Sequence, residues 1–248
     1  MQGKVYLIGD SLTQFSWTSN GLAAVLADRY QRRLDVINRG FSGYNSTIVT
    51  GFVERLAREG DLDGVKLVTI WLGANDSVLP GEARAVDPQT YSSNLVRLVS
   101  LLPADARVLL LTPPPFCAAA RAEHERANPD VVAAKDREEG HTRLYSSACL
   151  RAADEVRGSR GTVAAVELCY LMEDEAVRRY GDRDEGLKKF LHDGVHLTQE
   201  GYKIVSNAVV QAIERHFPDL DAASMRFPDW KQVDHTRPEA FLASLDKL

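Results

Sequence analysis

The sequence predicts an α/β fold: a parallel β-sheet with helices on both faces, formed as one domain over residues 1–248. Three observations carry this expectation. Short apolar, β-prone runs alternate with amphipathic helical stretches along the chain, the order that parallel strands with helical crossovers require. The first three of these runs end in glycine and small polar residues, as strands that deliver side chains to a ligand do. At 248 residues, 44% hydrophobic and 26% charged, the chain can bury one sizeable core.

The first strand is Val5-Tyr6-Leu7-Ile8, which passes into Gly9-Asp10-Ser11-Leu12 with no room for a loop. A polar stretch over 13–20 leads to a helix over 21–30, with Ser19 or Asn20 as its cap. A second strand over 34–38 ends in the loop 39–46, and a helix follows over 47–58. The third strand, 66–71, runs into Leu72-Gly73-Ala74-Asn75-Asp76-Ser77. After Pro88 a helix places Tyr91, Leu95, Leu98, Val99 and Leu102 on one face, and Pro103 turns the chain into a fourth strand over 107–112.

Pro113-Pro114-Pro115 stops that strand. Residues 116–139 are charged and Ala-rich, helical in part, and long for a plain connection, so they are expected to form a wall or lid over the site. A helix over 142–156, a fifth strand over 162–168 and a helix over 169–180 follow. The final helix, 198–217, opens on Thr198, carries Tyr202, Val205, Val209, Ala212 and Ile213 on one face, and ends before Pro218. The tail, 219–248, sets Phe227, Trp230 and Phe241 among charges, and is expected to pack on the domain or on a partner subunit, which leaves a homodimer open.

Composition excludes several classes. Thirty Lys and Arg against 35 Asp and Glu give a net charge of -5, without a basic cluster dense enough to track phosphates, so nucleic acid is not an expected partner. No apolar run reaches membrane-spanning length, and the apolar run after Met1-Gln2-Gly3-Lys4 is too short for a signal-peptide core; neither membrane insertion nor export is expected. Cys117, Cys149 and Cys169 form no C-x-x-C pair and are odd in number, which fits buried, reduced thiols and a cytoplasmic protein.

A serine hydroxyl is a poor nucleophile near neutral pH and needs a base within hydrogen-bond reach, itself held in one tautomer. Ser11 stands at the end of the first strand. Asp193 and His196, spaced D-x-x-H in a turn broken by Gly194, can approach each other locally and supply carboxylate and imidazole. Taken alone, that spacing more often marks a structural turn. Acyl transfer also needs donors aimed at the developing oxyanion. Gly43, after the second strand, can bring a backbone N–H close to a ligand, and Asn75, after the third, can point an amide inward; each alone is an ordinary turn residue.

Together, Gly9-Asp10-Ser11-Leu12, Gly43 within Phe41-Ser42-Gly43-Tyr44-Asn45, Gly73-Ala74-Asn75-Asp76 and Asp193-Gly194-Val195-His196 resemble the four sequence blocks of the SGNH, or GDSL-type, hydrolases, in that family's order. The resemblance spans residues 9–196. It implies a three-layer α/β/α flavodoxin-like sandwich with a five-stranded parallel sheet. It further implies Ser11 as nucleophile, Asp193 and His196 as the rest of the triad, and an oxyanion hole from Ser11 N–H, Gly43 and Asn75. The segments 38–45, 71–76, 112–115 and 227–230 are similar to the isoamyl acetate-hydrolysing esterase branch, which cleaves short acyl esters without a metal.

The expected activity is therefore a serine esterase acting on short-acyl carboxylic esters, with a small-molecule ester as partner and no cofactor or metal. The alternatives are a carbohydrate deacetylase or lysophospholipase of the same family, or a non-catalytic binding module. The G-x-S-x-G elbow of α/β-hydrolases is absent, because Thr13 stands two places after Ser11. Ser42 is a rival nucleophile that lacks the strand-to-turn delivery of Ser11. His192, Asp193 and His196 form a conceivable metal set without an evident fourth ligand. Asp10 and Asp76 are expected to support the nucleophile and the Asn75 loop by hydrogen bonding, and His124, His141, His216 and His235 to sit on solvated faces.

Overall fold

The computed structural model describes residues 3–130, 135–220 and 229–245. Five parallel strands, β1 (Gly3–Gly9), β2 (Leu34–Gly40), β3 (Val65–Trp71), β4 (Arg107–Leu111) and β5 (Val163–Val166), form one sheet in the order β2-β1-β3-β4-β5. This is the flavodoxin-like order. Strand side chains alternate between faces, so Val5, Leu7, Leu67, Leu109 and Leu111 enter one buried cluster. Tyr6, Ile8, Val68, Ile70 and Leu110 enter the other.

The helices divide accordingly. On the Leu7 face lie α2 (Leu22–Arg29), α7 (Leu168–Tyr180) and α9 (Gln199–His216); on the Ile8 face lie α3 (Ser46–Arg58), α4 (Pro88–Leu101) and α6 (His141–Arg157). The result is three layers. Each fully buried Leu, Ile or Val contributes about 1.5–3 kcal/mol relative to exposure, so truncating Leu7 or Ile8 to Ala should cost about 2–5 kcal/mol.

From β1 the chain crosses one face to β2, then returns over the other face to β3 on the far side of β1. The crevice above the C-terminal end of β1 is thus a topological switch point, where open α/β sheets bind ligands.

Several local expectations are corrected. Residues 11–14 form one helical turn, α1 (Ser11–Gln14), instead of opening a loop. Neither Ser19 nor Asn20 caps α2. Asn20 adopts φ +63°, Gly21 is the cap residue, and the buried carbonyl of Ser16 accepts from Ala23 N and Ala24 N at 3.1 and 3.3 Å. β5 stops at Val166, because Glu167 caps α7 through Tyr170 N. Two helices were not anticipated. The first, α8 (Arg183–Phe190), is capped by Asp182 and packs Gly186 on Ala176; the second, α10 (Pro238–Leu245), lies in the tail.

Residues 116–139 contain α5 (Ala118–Ala127), and 131–134 lie outside the described residues. Phe227 of the tail also lies outside them, while Trp230 is exposed and Phe241 half-buried. His216 and His235 are exposed as expected, but His124 and His141 are half-buried. Among the described residues no helix is long and apolar enough to cross a membrane. All three cysteines are buried and unpaired.

Candidate active site

Ser11 opens α1 directly on the end of β1, and Asp10 is the N-cap, its Oδ1 accepting from Leu12 N at 2.9 Å. Two distant side chains clamp this turn. Asn38 Nδ2 at the end of β2 donates to Thr13 O at 2.7 Å, and the Tyr202 hydroxyl on α9 donates to Leu12 O at 2.8 Å.

His196 lies on the loop between α8 and α9. A bridge between Leu191 and Leu197 and a hydrogen bond from His192 N to His196 O at 3.0 Å close that loop. Gly194 at its tip has φ +83°, and a Cβ there would stand 2.5 Å from Cys117 O, so neither conformation nor space admits another residue without a shift. The tight turn presses Asp193 against His196. Asp193 Oδ2 lies 2.6 Å from His196 Nδ1, and its Oδ1 accepts from Val195 N at 3.0 Å and His196 N at 2.7 Å. His196 Nε2 lies 2.9 Å from Ser11 Oγ, across 185 residues of chain. The structural turn and the local carboxylate–imidazole pair are one and the same object.

Burial alone would raise the Asp193 carboxyl. The hydrogen bonds from the His196 ring and backbone, its positive charge when protonated, and Val195 N–H outweigh burial and hold the group well below the usual carboxylate range. Burial, with His196 and His124 nearby, lowers the pKa of His192, whose ring stacks on His196 at 5.8 Å.

Ser11, Gly43, Asn75, Asp193 and His196 all line one cavity of about 160 Å³. Gly43 has φ +82°, in a loop whose Phe41 N donates to Gly9 O at 2.9 Å. Asn75 Nδ2 donates to Tyr44 O at 2.9 Å while its Oδ1 accepts from Arg84 Nη1 at 3.3 Å; an amide nitrogen carries two hydrogens, which leaves one for the cavity. Ser42 also borders the cavity but is exposed, with its backbone N–H bound to Gln14 Oε1 at 2.8 Å; the imidazole meets Ser11 instead.

Two buried acids sit beneath the rim. Burial, with the neighbouring Asp76 charge adding, pushes the Asp10 carboxyl up to about 7, and burial pushes Asp76 up to about 6. Asp76 acts on α3 as well as on its own loop: its Oδ1 accepts from Ser46 N at 2.9 Å.

Among the described residues, two groups of side chains have the donor types for a metal. In His192, Asp193 and His196, both ring nitrogens of His196 are already engaged, by Asp193 and Ser11. In Cys117, Glu139 and Asp184, the Arg183 guanidinium already lies 3.5 Å from Glu139 and 2.6 Å from Asp184.

Four residues that no motif marks complete the cavity: Arg84, Arg121, Asp136 and Arg137. Three of them come from the 116–139 segment, which does form a wall. The charge of that segment is a visible signal; its direction is not, because α5 buries only Ala120 and so shows no apolar stripe, and Asp136 and Arg137 follow in irregular chain.

A model of the GDSL-like Lipase/Acylhydrolase family matches residues 7–204. The isoamyl acetate-hydrolyzing esterase 1 homolog of Rattus norvegicus is 34% identical, over 96% of this chain and 91% of its own. The isoamyl acetate-hydrolyzing esterase of Saccharomyces cerevisiae is 26% identical over 93% and 94%. Among solved structures, a carbohydrate acetylesterase from Sinorhizobium meliloti superposes with a TM-score of 0.59 at 17% identity, covering 87% of this chain and 100% of its own, a likeness of fold.

Proposed function

From the premise that this chain belongs to the GDSL-like lipase/acylhydrolase family, we propose that it is a serine esterase acting on short-acyl carboxylic esters, acetate esters included. The observation that carries the reading is the unbroken hydrogen-bond chain Asp193–His196–Ser11. Ser11 Oγ attacks the ester carbonyl as His196 Nε2 takes its proton, and Asp193 fixes the tautomer through Nδ1 and stabilises the imidazolium. The carbonyl oxygen, now negative, is held by Ser11 N–H, Gly43 N–H and Asn75 Nδ2, each donor worth ~10² to 10³ in rate.

Ser11 N–H suits this role because the first helical N–H groups have no intrahelical acceptor. Collapse of the tetrahedral intermediate breaks the C–O bond, and His196 returns the proton to the departing alcohol. Water, activated by the same imidazole, then releases the acid from the acyl-enzyme.

A cavity of about 160 Å³ favours small acyl groups, since sites for drug-sized ligands span roughly 300–1,000 Å³. The esterase names of the relatives support the same substrate class. The reading takes the chain as one hydrolase domain working in the cytoplasm, where three buried unpaired thiols are stable.

A fluorophosphonate probe tests the proposal. It should label Ser11 and abolish hydrolysis of p-nitrophenyl acetate, and Ser11→Ala should lose both, with kcat down by ~10⁶. Full activity in Ser11→Ala, or labelling at Ser42, would overturn it.

A further inference from the structure

Beside the triad, the cavity is lined by three guanidinium groups, Arg84, Arg121 and Arg137, and by one carboxylate besides Asp193, that of Asp136. Arg84 donates from Nη2 to Asp136 Oδ2 at 2.9 Å, and Arg121 from Nη1 to Asp136 Oδ1 at 2.9 Å. Both oxygens of that carboxylate, which is only 5% exposed, are thereby taken. Arg137 is 7% exposed. It donates from Nη1 to Ala74 O, lies 3.9 Å from Asp136 through Nε, and that Nε is buried without a hydrogen-bond partner.

Among the described residues lining the cavity, three guanidinium groups thus face one carboxylate beyond the Asp193–His196 pair. Burial, with Arg121 and Arg84 beside it, brings the Arg137 guanidinium down to about 10. Tying the 135–139 stretch to the loop after β3 requires a single Arg–Asp pair, which leaves the charge of the nearly buried Arg137 beyond what that tie needs. A second cavity of about 340 Å³ shares Arg121 and Arg137 and is lined further by Lys135, Glu125 and Glu138, so the surplus of positive charge is confined to the cavity that holds Ser11.

We propose that this wall selects esters carrying a carboxylate close to the scissile carbonyl, with Arg121 and Arg137 as the residues that bind it. Asp136 Oδ1, 2.9 Å from Arg121 Nη1 and 3.9 Å from Arg137 Nε, already shows that a carboxylate oxygen fits between this pair. The proposal rests on the esterase reading above. The bonds made and broken are unchanged: Ser11 still attacks the ester carbonyl, and the carboxylate is spectator and anchor.

Two matched pairs of esters test it and locate the charge. On the acyl side, 4-nitrophenyl hemisuccinate is compared with 4-nitrophenyl butyrate; on the alcohol side, 4-acetoxybenzoate is compared with 4-acetoxybenzamide. The anionic member of at least one pair should show kcat/KM about tenfold or more above its neutral partner at low ionic strength, the size of one charge-assisted hydrogen bond, and the ratio should shrink with salt.

Arg121→Gln should bring that ratio to about 1, as should Arg137→Gln if it folds; Arg97→Gln, which removes an exposed partner of Glu54, should keep it. Neutral esters equal or faster in both pairs, or an unchanged ratio in Arg121→Gln, overturns the proposal. No hydrolysis of any of the four esters would instead remove the esterase reading beneath it.

Discussion

Arg84 donates to Oδ1 of Asn75 at 3.3 Å, and that contact decides which end of the amide faces the cavity. With Oδ1 held by a cation, Nδ2 turns to Tyr44 O and offers its second hydrogen to the position proposed for the oxyanion. Arg84 is thus a positioning residue. Arg84→Met should lower kcat on neutral esters roughly tenfold with little change in KM, against ~10² to 10³ for Asn75→Ala. In an Asn75→Ala background the Arg84 substitution should have little further effect, since the two act on one group. Additive losses would mean that Arg84 works elsewhere.

Asp193→Asn should keep the fold and lower kcat by about 10³ to 10⁴, because an amide no longer selects the required imidazole tautomer. The depressed Asp193 pKa adds a stability signature. The folded-state value lies below the unfolded one, so its contribution is present above about pH 4 and lost as pH falls through the folded value. Thermal unfolding should therefore show a larger deficit for the variant at pH 7 than at pH 3.

Gly194→Ala tests the loop that presents the pair. The left-handed φ and a Cβ 2.5 Å from Cys117 O should cost about 1–3 kcal/mol, a fall in Tm of roughly 2–12 °C for a chain of this size. kcat should drop more than binding, since the shift moves Asp193 and His196 relative to Ser11. Retained activity with an unchanged Tm would mean the turn tolerates a side chain.

Asp10→Asn should stabilise the protein at high pH. The folded pKa, about 7, lies above the unfolded one near 4, so the folded state binds the extra proton and stability falls as pH rises from about 4 to 7. An Asn keeps the Oδ1 that caps α1 while removing the charge. Melting curves of the two proteins should coincide near pH 4 and separate above pH 7, with the variant higher.

Much of the fold was legible because its signals are local. The apolar runs at 5–8, 66–71 and 107–111, the Pro88 start of α4 and the Thr198 cap of α9 each act within a few residues. The cap of α2 was misread for the opposite reason: Ser16 reaches its first turn across a bend that only the packed chain makes. Helix α8 went unseen because five of its eight residues are charged and it shows no apolar period, and only Leu187, Phe190 and the Gly186–Ala176 contact bury it.

For the site, the sequence alone determined the chemical groups: a serine on a strand end, a carboxylate and imidazole one turn apart, a glycine and an asparagine on neighbouring loops. Each is written in a stretch of four to eight residues. Tertiary structure decided which groups meet. Crossing from β1 to β2 and back to β3 puts Ser11, Gly43 and Asn75 on adjacent strand ends, and the α8–α9 loop closes over them to bring His196 Nε2 within 2.9 Å of Ser11 Oγ. It alone decided the basic wall, because Arg84 and Arg137 lie on irregular segments and Arg121 on the short helix α5, which buries only Ala120, so no apolar period aims these side chains; packing around Asp136 does.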